Sequence, residues 1–315
     1  MAPKTTIRQL LERGEMVWSP CIYDCVSAKV VELCGYNSML LSSCELEYSM
    51  NGIPASLYTW EEYIWATERI ASSSNLPLIV DGENGGGAPM QVYRNCKRLA
   101  EAGAMAISIE DTLSGGMNCG YHYSRSEGFM DAERWATNVK AAVDAVKGTD
   151  CMIIARTNCK GGGAPQIGAF GGGDKSLGLD EAIHRAQMGY LAGAEITMIQ
   201  DICHADCEAE CREIAAKVPG WLFYPDIHAT DGVSDVTFEE LREWGFSLVS
   251  NHASMKGAVK GMMEYHLANF KNKNTVYSEN DEFYGMGHIF HPFKFEDWIE
   301  RDKYYVDYEK NLSKK

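Results

Sequence analysis

Short apolar runs alternate with longer amphipathic stretches along almost the whole chain. The runs VWSPCIYD, SMLLSS, LPLIVDGE, AMAISIED, DCMIIARTN, AEITMIQD, WLFYPD and FSLVSNH have strand length and an apolar start, so they predict eight strands. Between them, LYTWEEYIWATERIAS, PMQVYRNCKRLAEAG, DAERWATNVKAAVDAVKG and LDEAIHRAQMGYLAG repeat apolar residues at helical spacing, with acids early and glycine at two of the ends. Strands that are apolar throughout and alternate with helices predict an α/β fold, a closed (β/α)8 TIM barrel, rather than an open sheet. No second domain is expected. Residues 1–315 read as a single barrel domain, with 266–315 a C-terminal helical extension whose aromatic content suits packing on a neighbouring subunit or exchange with it.

Each run begins apolar and finishes with groups able to bind or react. The endings are Tyr23 and Asp24, Ser42 and Ser43, Asp81 and Glu83, Glu110 and Asp111, Arg156 and Asn158, Gln200 and Asp201, Asp226, and Asn251 with His252. In a barrel they all converge on the carboxyl-end mouth, where such enzymes keep their sites. The segment KGGGAPQIGAFGGGDKSLG is too rich in glycine for regular structure, and its residues 161–173 read as a lid over that mouth. A passive surface insertion is the blander alternative.

Composition narrows the function classes. A net charge of -15 without a Lys/Arg cluster argues against a nucleic-acid groove and implies that an anionic substrate needs a local cation. No apolar run reaches membrane-spanning length, and the first residues lack a secretory signal, so no membrane partner and a cytoplasmic location are expected. The eleven cysteines form no regular framework, as in reduced thiols of a cytosolic enzyme.

Residues 80–87, VDGENGGG, hold the most specific chemistry. Residues two apart on a strand face the same side, so Asp81 and Glu83 project together, and the next strand ends in a third acid, Glu110. Such a set repels a phosphate unless a cation intervenes, and hard oxygen ligands suit Mg2+, with Mn2+ as a substitute. The glycines then clear space for substrate. The same acids could instead cap helices or pair with arginine.

The segments SMLLSSCELEYSMNGIPASLYTWEEY, LPLIVDGENGGG, AGAMAISIEDTLSGGMNCGY, IIARTN and LDEAIHRAQMGYLAGAE follow in the order, and nearly the spacing, of the isocitrate lyase and phosphoenolpyruvate mutase superfamily, which the chain resembles over roughly residues 15–265. The resemblance implies a Mg2+-dependent enzyme that handles a 2-oxo or 2-hydroxy acid through a pyruvate-like enolate. By carry-over, Asp81, Glu83 and Glu110 hold the metal and its waters. Ser42 and Ser43 contact the substrate carboxylate, and Arg156 steadies the oxyanion. Cys119 and Gly120, in NCGY, match the cysteine–glycine pair of the lyase branches, where the thiol protonates the carbanion left by carbon–carbon cleavage. Gln200 and Asn251, at the mouth, are further candidate substrate contacts. No hydroxyl base is identifiable, and Tyr23 is the candidate that its place at the first strand's end offers.

The departures leave alternatives open. Where lyases of this kind carry lysines before the cysteine and a histidine after it, the chain has Gly116, Met117, Asn118 and Tyr121. A family acid is replaced by Ala55, and Gln200 stands where Glu or His is expected. Asn118 also matches a gating-loop asparagine of phosphonopyruvate-processing relatives. The leading expectation is a homo-oligomeric lyase, a dimer of dimers and so a homotetramer, that cleaves a 2-hydroxy di- or tricarboxylate (isocitrate-, methylisocitrate- or dimethylmalate-like) to a 2-oxo acid and a second carboxylic acid by retro-aldol or retro-Claisen chemistry. The alternatives are phosphonopyruvate mutase or P–C hydrolase chemistry through Asn118, and a non-catalytic carboxylate-binding barrel. Cys203, Cys207 and Cys211, spaced by four with His204 beside them, read as the buried stripe of a helix rather than a metal site, and His288 and His291 read as structural or interfacial.

Overall fold

A computed structural model describes residues 5–51, 57–113, 128–161, 177–202, 207–227, 229–230, 233–234, 236–275 and 293–312. Eight parallel strands form a closed barrel: β1 (Val17–Ile22), β2 (Met39–Leu41), β3 (Leu78–Asp81), β4 (Ala104–Ile109), β5 (Met152–Thr157), β6 (Ile196–Ile199), β7 (Trp221–Tyr224) and β10 (Phe246–Asn251). Closure comes from β10 pairing with β1, Val17 opposite Leu248 and Pro20 opposite Asn251. Two short strands between β7 and β10, β8 (Ala229–Thr230) and β9 (Val233–Ser234), form an antiparallel hairpin that the apolar pattern did not announce.

All eight expected strands are present, and most stop one to three residues short of their polar endings. Those endings emerge where ladder pairing stops, at the mouth. The predicted helices are α4 (Trp60–Ser73), α5 (Pro89–Glu101), α6 (Ala132–Ala145) and α7 (Gly178–Leu191), joined in the ring by α2 (Cys25–Leu33), α8 (Cys207–Lys217) and α9 (Phe238–Glu243). Their starts follow local chemistry. Thr59 with Glu62, Thr237 with Glu240 and Asp24 with Ser27 form capping boxes at α4, α9 and α2, and Pro89 opens α5. Asp24 therefore spends its carboxylate on a helix.

The period-2 alternation of each strand divides its side chains between two cores. Cys21, Leu40, Ile79, Ala106, Ile154, Ile196, Phe223 and Leu248 fill the barrel interior, where α1 (Ile7–Glu12) adds Ile7, Leu10 and Leu11. Their neighbours in sequence, such as Ile22, Leu41, Val80, Ile107 and Ile153, face the helices and pack with Tyr63, Val92, Leu99 and Trp135.

The chain divides into two compact units, Met1–Met255 and Lys256–Lys315. The second unit takes in most of α10 (Ser254–Asn272). Neither α10 nor α11 (Phe295–Leu312) has a buried residue. Met262, Met263, Leu267 and Phe270 on α10, and Trp298, Tyr304, Tyr305 and Tyr308 on α11, are exposed. Among the described residues no helix is long and apolar enough to cross a membrane.

Candidate active site at the barrel mouth

The inward phase of each strand delivers the site. Cys21 on β1, Asp81 on β3, Arg156 on β5 and Ser250 on β10 share a cavity with Ser42, Gln200 and His252, which continue the same phase beyond their strands. Phase also decides what is left out. Asn251, one residue off, is not among the residues lining the cavity, and its side chain is hydrogen-bonded to Tyr36. Tyr23 packs against the outer core, and burial raises its phenol pKa.

Asp81 is the hub. Its carboxylate accepts from Ser43 Oγ at 3.2 Å, from Ser108 Oγ at 3.0 Å and from Arg156 NH1, 3.1 Å from both oxygens. Arg156 NH2 lies 3.6 Å from Glu110, and Asn158 orients Arg156 by accepting from its Nε at 2.9 Å while donating to Glu110 at 2.8 Å. Thr112 also donates to Glu110, which is fully buried. A further tier holds this one in place: Asp111, out of phase with Glu110, accepts from Thr157 at 2.6 Å, the Asn158 amide at 2.9 Å and Arg185 at 3.2 Å.

Asp81 and Glu83 do not extend one continuous strand. β3 ends at Asp81, and Glu83 has φ +50°, a left-handed conformation that non-glycine residues rarely adopt. The turn buries the Glu83 carboxylate, with Tyr58 OH 3.3 Å from Oε1. Asp201, at the end of the β6 run, is also left-handed at φ +61°, and its carbonyl accepts from Lys160 Nζ at 2.6 Å. Gly82 is required by close approach: a Cβ there would lie 2.5 Å from the Ser108 carbonyl oxygen on β4. The three glycines that follow do not clear space for substrate, as their sequence suggested. They have φ of +70°, +102° and +85°, and a Cβ on Gly85 would meet Val92 of α5 at 2.7 Å. They form the left-handed turn that seats α5 against the strand end.

Burial and mutual repulsion dominate the electrostatics of these acids. Burial, then the proximity of Glu110 and Asp81, raises the Glu83 pKa well above the carboxylate range. Burial also raises Glu110, with Arg156 opposing it. Glu83 Oε2 is buried without a hydrogen-bond partner, whereas Asp81 and Glu110 hold Arg156 between them, and among the described residues the three carboxylates do not close to the spacing of ligands around one ion.

Opposite this set, the mouth carries a second polar group that the strand endings only partly indicated. His252 Nδ1 lies 3.1 Å from Glu45 Oε1 on α3 (Ser43–Asn51), while Nε2 lies 3.5 Å from Asp226 and 3.7 Å from Cys21 Sγ. The inward phase of β1 could have singled out Cys21. Glu45 could not have been found, because α3 brings it in from the helical side. Cys207 and Cys211 are buried, and Cys207 Sγ is 3.3 Å from Tyr224 OH, as a packing stripe requires. Ala55, Gly116, Met117, Asn118, Cys119, Gly120 and Tyr121, the segment 162–176, and Cys203, His204, His288 and His291 lie outside the described residues.

A (β/α)8 barrel whose strand ends gather carboxylates and a buried arginine is the architecture of TIM-barrel enzymes that act at the carboxyl-end mouth. The phosphoenolpyruvate phosphomutase family model matches residues 7–270, and the chain belongs to that family. It is 30% identical to the petal death protein of Dianthus caryophyllus, covering 97% of this chain and 90% of that protein. It is 26% identical to the 2-methylisocitrate lyase of Aeropyrum pernix, covering 95% and 90%. The crystal structure of 2,3-dimethylmalate lyase, described as a PEP mutase/isocitrate lyase superfamily member, superimposes with a TM-score of 0.76 at 22% identity, covering 96% of this chain and 99% of that one.

Proposed function

We propose that the protein is a carbon–carbon lyase that cleaves a 2-hydroxy di- or tricarboxylate to a 2-oxo acid and a second carboxylic acid. The observation that carries this reading is Arg156, held between Asp81 and Glu110 in the mouth. A guanidinium fixed in that way can receive the oxyanion of a forming 2-oxo acid enolate without reorganising. Asp81, Glu83 and Glu110 would hold a divalent ion, which when bound supplies Lewis-acid stabilisation of developing negative charge. Ser42 and Ser43 would bind the substrate carboxylate through hydroxyl and amide, and Gln200, which lines the same cavity, would be a further contact. Cys119 would deliver a proton to the departing carbanion, and Gly120 would let the backbone approach it. The relatives named 2-methylisocitrate lyase and 2,3-dimethylmalate lyase support this class of substrate.

The exposed aromatic helix α11 supports a homo-oligomer, a dimer of dimers in this reading, and a cytoplasmic location accords with the free thiols. The test is a Mg2+-supplemented screen of 2-hydroxy di- and tricarboxylates and phosphonopyruvate, monitoring 2-oxo acid release. Cleavage of at least one carbon acid is expected. Turnover of phosphonopyruvate alone would replace the reading with a mutase or P–C hydrolase acting through Asn118, and inertness toward all would leave a carboxylate-binding barrel.

A further inference from the structure

We infer that Cys21, Asp226 and His252 form a second metal site in the barrel mouth, one that takes a thiophilic divalent ion, Zn2+ first, and is chemically distinct from the all-carboxylate set across the cavity. The three ligand atoms, Sγ, a carboxylate oxygen and an imidazole nitrogen, all lie within 4.8 Å of one another. His252 Nε2 is 3.7 Å from Cys21 Sγ and 3.5 Å from Asp226 Oδ1. Ligands at about 2.3 Å (S), 2.0 Å (N) and 2.1 Å (O) from a tetrahedral zinc stand about 3.5 Å (S to N) and about 3.4 Å (N to O) apart, so the spacing is close to that of ligands around an ion. The Nε2 to Asp226 separation is also longer than a direct N–H···O bond.

Supporting contacts point the same way. Glu45 Oε1 lies at hydrogen-bond distance, 3.1 Å, from His252 Nδ1, the carboxylate–histidine arrangement that fixes the tautomer and turns the Nε2 lone pair toward the other ligands. Ser250 Oγ donates to Asp226 Oδ1 at 3.1 Å. Cys21, Asp226 and His252 all line the cavity, so a fourth coordination position would open toward substrate, as in catalytic zinc sites. Donor softness separates the two sites: a thiolate with an imidazole selects zinc, whereas Asp81, Glu83 and Glu110 offer only hard oxygens. Binding is an exchange, in which the Cys21 thiol proton, and the imidazole proton where present, leave to solvent as the S–metal and N–metal bonds form.

The experiment uses the full chain stripped with chelator and titrated with Zn2+, and with Co2+ as a spectroscopic probe. One equivalent of Zn2+ is expected to bind in the presence of saturating Mg2+, and Co2+ should show a thiolate charge-transfer band. Cys21→Ser should abolish that band and weaken Zn2+ at least about 100-fold. Glu45→Gln, which leaves all three ligands in place, should weaken it about 10- to 100-fold. Cys44→Ser, altering the other thiol that lines the cavity, should retain both signals. A melting curve for each variant separates loss of metal from loss of fold, and Glu45→Gln carries the test if a ligand variant does not fold. Zn2+ binding that survives Cys21→Ser but is lost in Asp81→Asn, or a Co2+ complex without a thiolate band, would overturn the inference.

Discussion

Asp81 accepts four hydrogen bonds from three side chains, and two strands plus α3 depend on its position. Asp81→Ala and Glu110→Ala are expected to fold, because both act at the mouth rather than in the apolar core, but to lose at least about 10²-fold of divalent-dependent turnover. Unchanged turnover of either variant in chelator would remove the metal from the reaction. At Cys119 the lyase and phosphonate readings part. Cys119→Ser should lower kcat by at least about 10²-fold with little change in KM if the thiol moves a proton. Near-normal turnover in that variant, with loss in Asn118→Ala instead, would assign the phosphonate branch.

At the scale of elements, the contact of β3 with β4 sets the geometry of all three carboxylates. Gly82 sits at that contact, and a methyl group there would face a backbone carbonyl at 2.5 Å and Ile107 Cγ2 at 2.8 Å. Neither the carbonyl nor the packed Ile107 can yield without parting the strands. Gly82→Ala is therefore expected to cost about 1–3 kcal/mol of stability and to reduce turnover as well, since Asp81, Glu83 and Glu110 would move apart. Denaturant unfolding with unchanged m-value reads the first effect and steady-state kinetics the second. A variant as stable as the parent would show that the two strands have slack there.

For the molecule as a whole, the buried acids of the mouth make the metal-free protein sensitive to pH. Glu83, Glu110 and Asp111 have raised pKa values through burial, and burial takes Asp201 from 3.8 to about 6. The fold thus binds more protons than the unfolded chain between about pH 4 and 6 and upward, so its stability falls as pH rises. The Asp201 shift alone is worth on the order of 3 kcal/mol, at about 1.4 kcal/mol per unit. His252 acts in the same direction. Burial opposes its charge, but Cys21 and Asp226 raise its pKa, and the stabilisation is lost as pH rises through that value. In chelator, Tm is expected to drop from pH 5 to pH 8, and Mg2+ should raise Tm more at pH 8 than at pH 5. A flat or rising profile in chelator would contradict the strained carboxylate set. Removal of 293–315 is expected to lower the oligomeric state of the proposed homo-oligomer, because it takes away the exposed aromatic surface of α11. Sedimentation of the truncated and full chains checks this.

Most of the barrel was legible in the sequence, because strand and helix periods are local properties and eight repetitions of one alternation leave few other folds. The polar ends of the strands, the acids of VDGENGGG and Glu110 were legible for the same reason: strand direction places every ending at one mouth. Tertiary structure alone decided three things. Side-chain phase, a matter of one residue, put Ser250 and His252 in the cavity and turned Asn251 toward Tyr36. The left-handed turn at Glu83 and the glycines behind it became a helix seat, since φ depends on what the chain must pack against. The grouping of Cys21, Glu45, Asp226 and His252 required barrel closure of β10 onto β1 and the approach of α3, contacts between residues up to more than two hundred positions apart that no local pattern encodes.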